Sequence, residues 1–155
     1  MTEPTIIAPA SAPGRGGVSV VRISGPKARP IAKTLCGDLE EPWKLKKCTI
    51  RSRGGVDLDT GLVVFFKSPN SYTGEDVVEF HLHGGPGIVR SVIDAVLTQG
   101  ARMAEAGEFT RRAYLNGKLD LVEAEAIAVR AQAGGDMPAR FAGLSHRLRE
   151  QAKAL

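Results

Sequence analysis

The sequence predicts an α+β fold followed by the start of an α-helical domain. Up to Gly117, short β-branched and apolar runs of strand length alternate with segments whose apolar residues recur at helical spacing. From Leu119 onward only the helical spacing remains. We therefore expect one domain over residues 1–118 and the beginning of a helical domain over residues 119–155.

The first predicted strand follows a glycine-rich turn. Residues 5–8 form a short apolar run, and prolines and glycines over residues 9–17 then break the chain. The β-branched run at residues 18–23 has apolar side chains on both faces, which is typical of a central strand. Arg22 lies on one of these apolar faces, so its charge needs a partner. A helix is expected over residues 24–35, with a proline in its first turns.

Two further strands are predicted in the middle of the chain. Residues 37–60 are polar and loop-like, with one weak strand signal at residues 48–53. Residues 62–66 form an apolar run that predicts a buried strand, ended by the turn sequence at residues 67–70. Residues 77–82 alternate between apolar and polar, which predicts a half-buried strand. The polar face of that strand carries Glu79, His81 and His83.

The remaining elements are mostly helical. A turn at residues 84–87 precedes a helix whose apolar positions recur at helical spacing until Gly100 ends it. A short strand over residues 101–104 and a short helix over residues 108–116 follow. Two apolar helical stripes then lack partners within so short a segment, so we expect them to pack against further helices. The stripes are Leu119, Val122, Ala126 and Val129, and Phe141, Leu144, Leu148 and Leu155.

Composition restricts the protein to ordinary globular classes. Of the 155 residues, 43% are hydrophobic and 25% are charged, and 18 Gly with 9 Pro are too few for a collagen-like or low-complexity chain. The apolar runs are far shorter than the ~18 residues of a membrane span, and the N-terminal sequence lacks the pattern of a secretory signal. We expect a cytoplasmic protein with no membrane partner. Cys36 and Cys48, without a CxxC pattern, are then expected to be ordinary thiols.

The charge pattern offers an RNA-binding alternative. The net charge of +4, from 21 basic and 17 acidic residues, is spread evenly along the chain. The densest basic run extends from Lys44 to Arg53, but it lacks the interleaved aromatic residues of a nucleic-acid site. We therefore favour a solvated edge for this run. The glycines at residues 14–17 do not belong to a Walker A motif, so we expect a tight turn there rather than a phosphate loop.

Arg22 and Glu79 are the strongest candidates for a binding site. Each is a charged residue on a strand predicted to be buried, where an unpaired charge is costly. They can pair with each other, or they can bind a ligand that offers N–H donors to the carboxylate and oxygen atoms to the guanidinium, as a pterin or purine does. The residues leave these two alternatives open. Glu79, His81 and His83 would make only a weak metal-ligand set, and we expect no metal site.

Three long segments of the chain carry a family resemblance. They are PGRGGVSVVRISGP (residues 13–26), PNSYTGEDVVEFHLHGGP (residues 69–86) and GEFTRRAYLNGKLDLVEAEAIA (residues 107–128). Together they resemble the N-terminal region of the MnmE (TrmE) family of tRNA-modification GTPases, in the family's order. The resemblance implies that residues 1–118, a mixed β-sheet with helices, form a folate-binding and dimerisation domain similar to that of aminomethyltransferases.

The resemblance also implies a function, cofactors and partners. With an MnmG-like flavoprotein, the family modifies C5 of the wobble uridine of certain tRNAs to an aminomethyl or carboxymethylaminomethyl group. The one-carbon unit comes from 5-formyl- or 5,10-methylene-tetrahydrofolate, which binds near a homodimer interface. GTP, magnesium and potassium serve the GTPase domain of the full-length proteins. We therefore expect a homodimer, an MnmG-like partner, and tRNA binding by the full-length complex.

Matched residue by residue, the family's folate contacts fall on Arg22, Glu79 and Lys118. Glu79 is expected to accept hydrogen bonds from the pterin N–H groups, and Arg22 and Lys118 to bind carbonyl or glutamate-tail oxygens. Lys118 also has a plainer explanation, because the helix dipole favours a cation just past a helix end. His81 is not part of the family pattern.

The 155 residues include neither the family's GTPase domain nor its C-terminal cysteine motif, and the resemblance ends after Ala128. We therefore expect no GTP hydrolysis, no catalytic residue and no tRNA modification by this chain alone. Two alternatives stay open. One is a stand-alone folate-dependent one-carbon transferase, with Asp76 or His83 as its acid or base. The other is an RNA-binding module that uses the basic run.

Overall fold

The computed structural model of the protein describes residues 2–12, 14 and 16–133. These residues form six strands and four helices. The strands are β1 (Ile6–Pro9), β2 (Val18–Ser24), β3 (Lys46–Arg51), β4 (Asp57–Phe66), β5 (Val77–His83) and β6 (Arg102–Met103), and the helices are α1 (Ala28–Cys36), α2 (Pro86–Leu97), α3 (Glu108–Leu115) and α4 (Leu121–Ala133). Within the described residues, every helix is too short or too polar to cross a membrane.

The chain divides into two compact units. The first comprises Met1–Ser71 and Glu75–Met103 and contains the strands together with α1 and α2. The second comprises Tyr72–Gly74 and Ala104–Leu155 and contains α3 and α4. The predicted functional division after residue 118 stays a prediction, because it concerns what each part of the chain binds.

The first unit is built on one six-stranded sheet with the strand order β3-β4-β5-β2-β1-β6. Among the described pairs, β1 and β6 are parallel and the other four pairs are antiparallel. The mixed sheet with its helices confirms the predicted α+β fold. It also confirms the central position predicted for β2, whose neighbours are β1 and β5. Residues 10–17 connect β1 to its antiparallel neighbour β2, and the tight turn expected within them stays a prediction.

One face of the sheet packs against α1 and α2. Successive side chains of a strand project from opposite faces, so alternate residues of β2, β4 and β5 enter this core. The strand residues of the core are Ile7, Val21, Ile23, Ile50, Val63, Phe65, Val78, Phe80 and Leu82, and the helix residues include Ile31, Leu35, Val92 and Val96. The opposite face, which we call the second face, carries the intervening residues. Arg22 and Glu79 therefore belong to the second face.

The hairpin of β3 and β4 is longer than the sequence predicts. β4 begins at Asp57 rather than at residue 62, and β3 covers Lys46–Arg51 rather than residues 48–53. The first half of β4 is polar because its partner β3 is the edge strand, so cross-strand hydrogen bonds hold it with little burial. Gly55, with φ 82°, allows the turn between the two strands.

In the second unit, α4 packs on α3 through alanines and not through the predicted stripe. Ala124 and Ala128 are buried and pack with Tyr114 of α3. Val122 and Val129 of the predicted stripe are 75% and 62% exposed. Small residues one turn apart let two helices approach closely, which leaves the valines on the outside. The second predicted stripe, at residues 141–155, lies outside the described residues.

Candidate functional site

Strand pairing brings Arg22 opposite Glu79 in the first unit. The antiparallel register of β2 and β5 pairs these two residues, and Val64 of β4 and Ala8 of β1 continue the same row across the sheet. Directly opposite residues on one face have Cβ atoms about 4.5–5.5 Å apart, within reach of long side chains. The two predicted site residues meet because β2 and β5 are neighbours in the sheet.

The two side chains form a two-point ion pair. Arg22 Nη2 lies 2.8 Å from Glu79 Oε1, and Arg22 Nε donates to the same oxygen at 3.0 Å. The side chains are 25% and 15% exposed, so both are partly withdrawn from water and still accessible to a ligand. Such a charge-assisted pair offsets the desolvation of both groups. Of the two alternatives that the sequence left open, the structure therefore shows the direct ion pair. A ligand that bound both residues would have to replace the hydrogen bonds between them.

His81 also contacts Glu79, although the sequence does not predict it as a site residue. Its Nε2 lies 3.2 Å from Glu79 Oε2, so both oxygens of the Glu79 carboxylate are engaged. His81 follows Glu79 by two residues along β5, so it projects from the same face. The alternation of polar and apolar residues along β5 indicates that His81 shares a face with Glu79. The family motif, however, does not include His81. We call Arg22, Glu79 and His81 the carboxylate cluster.

The possible metal ligands of β5 do not converge on one point. His83 Nδ1 lies 2.8 Å from Asp59 Oδ1, and the His83 backbone N–H donates to Asp59 Oδ2 at 2.8 Å. His81 contacts Glu79 instead. In the part of the chain that the structure describes, no three His, Cys, Asp or Glu side chains gather as a metal site requires.

The acid or base candidates of the transferase alternative hold the fold together. Asp76 Oδ1 accepts a hydrogen bond from the Ser68 backbone N–H at 2.9 Å, and the Asp76 carbonyl accepts one from the Gly25 N–H at 2.9 Å. His83 is bound to Asp59, and at the rise of a strand it lies about 13 Å along β5 from Glu79. Asp76 is thus engaged by the Ser68 backbone, His83 and Glu79 lie at separate points of β5, and the transferase alternative stays a prediction.

Three basic side chains of the run around β3 have local partners. The contacts are Lys44 Nζ to Glu41 Oε2 at 2.8 Å, Arg51 Nε to Asp57 Oδ1 at 2.6 Å, and Lys46 Nζ to the Asp38 carbonyl at 2.9 Å. Exposed ion pairs of this kind are weak and exchange readily with solvent. The RNA-binding alternative therefore stays a prediction.

Lys118 follows α3 in the second unit. Gly117 has φ 72°, and the N–H groups of Gly117 and Lys118 donate to the carbonyls of Tyr114 and Ala113 at 3.0 and 2.8 Å. These contacts form a Schellman motif, the kind of helix end that an Asn-Gly sequence predicts. A Cβ added to Gly74 would lie 3.4 Å from Lys118 Cγ, so the lysine stem packs over the Gly74 backbone. The backbone of Lys118 is thus fixed by the helix end.

A cavity of about 310 Å³ opens in the first unit beside the carboxylate cluster. Its size is at the lower end of the range for small-molecule pockets. His81 lines the cavity and also contacts Glu79, so it connects the cavity with the ion pair. The other lining residues are Gly17, Val18, Lys47, Thr60, Gly61, Leu62, Leu82 and His83.

The chain is similar to known proteins over most of its length. The family model described as "GTP-binding protein TrmE N-terminus" matches residues 5–118. The chain is 54% identical over 125 residues to the tRNA modification GTPase MnmE of Roseobacter denitrificans, a match that covers 80% of this chain and 29% of that protein. It is 49% identical over 139 residues to the protein of the same name from Neisseria gonorrhoeae, covering 90% and 31%.

The matched length is a fraction of these relatives. The protein of the same name from Caulobacter vibrioides is 54% identical over 128 residues, which cover 83% of this chain and 28% of that protein. The chain thus spans about three-tenths of the length of the curated relatives it matches. The extent of the family match and these identities show that the chain belongs to the family of TrmE N-termini, the N-terminal part of tRNA modification GTPases of the MnmE type.

Proposed function

We propose that this chain is the folate-binding, homodimerising N-terminal module of a cytoplasmic tRNA-modification GTPase. The ion pair of Arg22 and Glu79 carries the proposal. The names of the relatives support a role in tRNA modification. In the whole protein, an MnmG-like flavoprotein would be the partner, and the product would be the aminomethyl or carboxymethylaminomethyl group at C5 of the tRNA wobble uridine.

The chemistry of the pair is complementary to that of a pterin. The Glu79 carboxylate is an acceptor that matches neighbouring N–H groups, and the Arg22 guanidinium is a donor that matches carbonyl oxygen or ring nitrogen. Because the two side chains already neutralise each other, a ligand with both kinds of group exchanges their hydrogen bonds without leaving a charge unpaired. This exchange makes the site selective for ligands that offer donors and acceptors together.

The remaining features of the site refine the proposal. His81 holds the second oxygen of Glu79, which fixes the plane of the carboxylate before a ligand arrives. Lys118 is proposed as a further contact to folate oxygens on the basis of the family motif. Bound 5-formyl- or 5,10-methylene-tetrahydrofolate supplies a one-carbon unit. This chain's residues would bind and orient it.

A calorimetric titration with 5-formyltetrahydrofolate tests the site. We expect saturable binding by the chain and a loss of about 100-fold or more in the Arg22→Ala, Glu79→Ala double variant, because two charge-assisted contacts are removed. The matched control is Arg51→Ala, Asp57→Ala, which removes another cross-strand ion pair of the same sheet. It should bind within about twofold of the wild type. Equal affinity in both folded double variants, or no saturable heat from the folded wild type, would refute the proposal.

Dimerisation through the second face is tested by adding a charge to it. Val18 at the start of β2 is 62% exposed and lines the cavity beside the carboxylate cluster. We expect the chain to sediment as a dimer and Val18→Asp to sediment as a monomer, because an unpaired carboxylate in an interface is costly. Val56, in the turn before β4, is equally exposed at 62%, so Val56→Asp is the matched control and should remain dimeric. A monomeric wild type, or two variants that dissociate alike, would exclude this interface.

A further inference from the structure

The two cysteines of the chain, twelve positions apart in sequence, lie together in the first unit. Cys36 is the last residue of α1, and Cys48 lies in the middle of β3. Both side chains are half-buried and pack against the same hydrophobic core. Their spacing fits no CxxC, disulfide-framework or metal motif, so the sequence predicts only two ordinary thiols.

The surrounding contacts hold α1 and β3 at a fixed separation. Lys46 lies two residues before Cys48 on β3, so both side chains project from the same face. The Lys46 ammonium donates to the Asp38 carbonyl, just beyond α1, at 2.9 Å. Cys48 is in register with Gly61 of β4, which fixes its backbone from the other side. The side of β3 that carries Cys48 is therefore directed at the C-terminus of α1.

The two thiols differ in their surroundings. The Cys36 thiol donates to the Ala32 carbonyl at 3.1 Å, within its own helix. The proximity of Cys36 and of the Lys46 ammonium lowers the pKa of the Cys48 thiol against the effect of burial, and the proximity of Cys48, with burial, raises the pKa of the Cys36 thiol. A thiolate is the attacking species in thiol–disulfide exchange. Cys48 is thus the natural nucleophile of the pair and Cys36 the resolving thiol.

We propose that Cys36 and Cys48 form a reversible intramolecular disulfide when the protein meets an oxidised low-molecular-weight disulfide such as glutathione disulfide. The Cys48 thiolate attacks one sulfur of the reagent, which forms a mixed disulfide and releases one thiol. Cys36 then loses its proton and attacks the Cys48 sulfur, which releases the second thiol. The protein loses two protons and two electrons, and the reagent takes them up to become two thiols.

The bond would tie the edge strand of the sheet to α1. In a reducing compartment the pair stays a dithiol, so the disulfide is a response to oxidation. Closing the short loop between the two residues restricts the unfolded chain, and β3, as the edge strand, pairs with β4 only. Oxidation should therefore stabilise the first unit without altering the carboxylate cluster.

The test uses the whole chain, whose only two cysteines are these. After incubation with glutathione disulfide, we expect free thiols to fall from two to none, the mass of the monomer to fall by two hydrogens, and the thermal midpoint to rise by roughly 5–10 °C. Dithiothreitol should reverse all three changes. In Cys36→Ser, Cys48 should keep one glutathione as a mixed disulfide, because the resolving thiol is absent.

Two results would overturn the proposal. One is a folded protein that keeps both thiols, or two glutathiones, at an excess of reagent that oxidises simple dithiols. The other is a disulfide-linked dimer as the sole product.

In the reduced wild type, peptide mapping after brief alkylation should find Cys48 modified roughly tenfold faster than Cys36. The reverse order would exclude the assigned roles.

Discussion

Gly84→Ala is expected to destabilise the first unit by about 3 kcal/mol, at the upper end of the cost of overpacking. Gly84 follows β5, and a Cβ added there would overlap the carbonyl oxygen and carbonyl carbon of Gly16. Both are backbone atoms, so no side-chain rotation relieves the overlap. The Gly84 N–H also donates to the Gly17 carbonyl at 3.3 Å, and the contact joins the ends of β5 and β2.

Gly87, three residues further along the chain, provides the control. A Cβ added to Gly87 meets nothing within 4 Å, and Gly87 lies in the first turn of α2. Gly87→Ala should therefore be neutral or stabilise the protein by about 0.4–1 kcal/mol, because alanine restricts the unfolded chain. Urea unfolding followed by far-ultraviolet circular dichroism measures both free energies of unfolding. Similar midpoints for the two variants would contradict the close approach of Gly84 to Gly16.

The alternation of residues along the strands predicts the α+β fold and the strands on which Arg22 and Glu79 lie. The polar alternation of β5 predicts that Glu79 leaves the core, and the β-branched run of β2 predicts that Arg22 lies on a central strand. The pairing itself could not be predicted from these patterns. β2 and β5 are separated in the chain by α1, β3 and β4, and their register depends on the order of strands in the whole sheet.

Contacts between distant segments were the main part that the sequence did not reveal. His81 shares a carboxylate with Arg22 only because the sheet is assembled, and Cys48 packs on the same core as Cys36 only because β3 lies beside the end of α1. The buried face of α4 was missed for another reason. Alanines such as Ala124 carry little weight in a pattern of large apolar residues, although their small size is what permits close helix packing.

Neutralising Glu108 is expected to destabilise the second unit by about 3–5 kcal/mol, because it removes one charge of a buried ion pair with Arg112. The two side chains are 0% and 2% exposed, and Arg112 Nη2 donates to Glu108 Oε1 at 3.1 Å. Glu108 Oε2 also accepts the Glu105 backbone N–H at 2.8 Å, at the start of α3. Glu108→Gln keeps the size of the side chain and that acceptor, so its effect reports the loss of charge.

A double variant separates the charge effect from the loss of packing. Glu108→Gln with Arg112→Met removes both charges and should be less destabilised than the sum of the two single variants, by about 1–3 kcal/mol. The control is Asp94→Asn in α2, where Arg90 Nε and Asp94 Oδ2 are 4.0 Å apart at the same helical spacing but the side chains are 85% and 66% exposed. It should change stability by only a few tenths of a kcal/mol. If Glu108→Gln and Asp94→Asn have equal effects, burial does not govern the strength of these pairs.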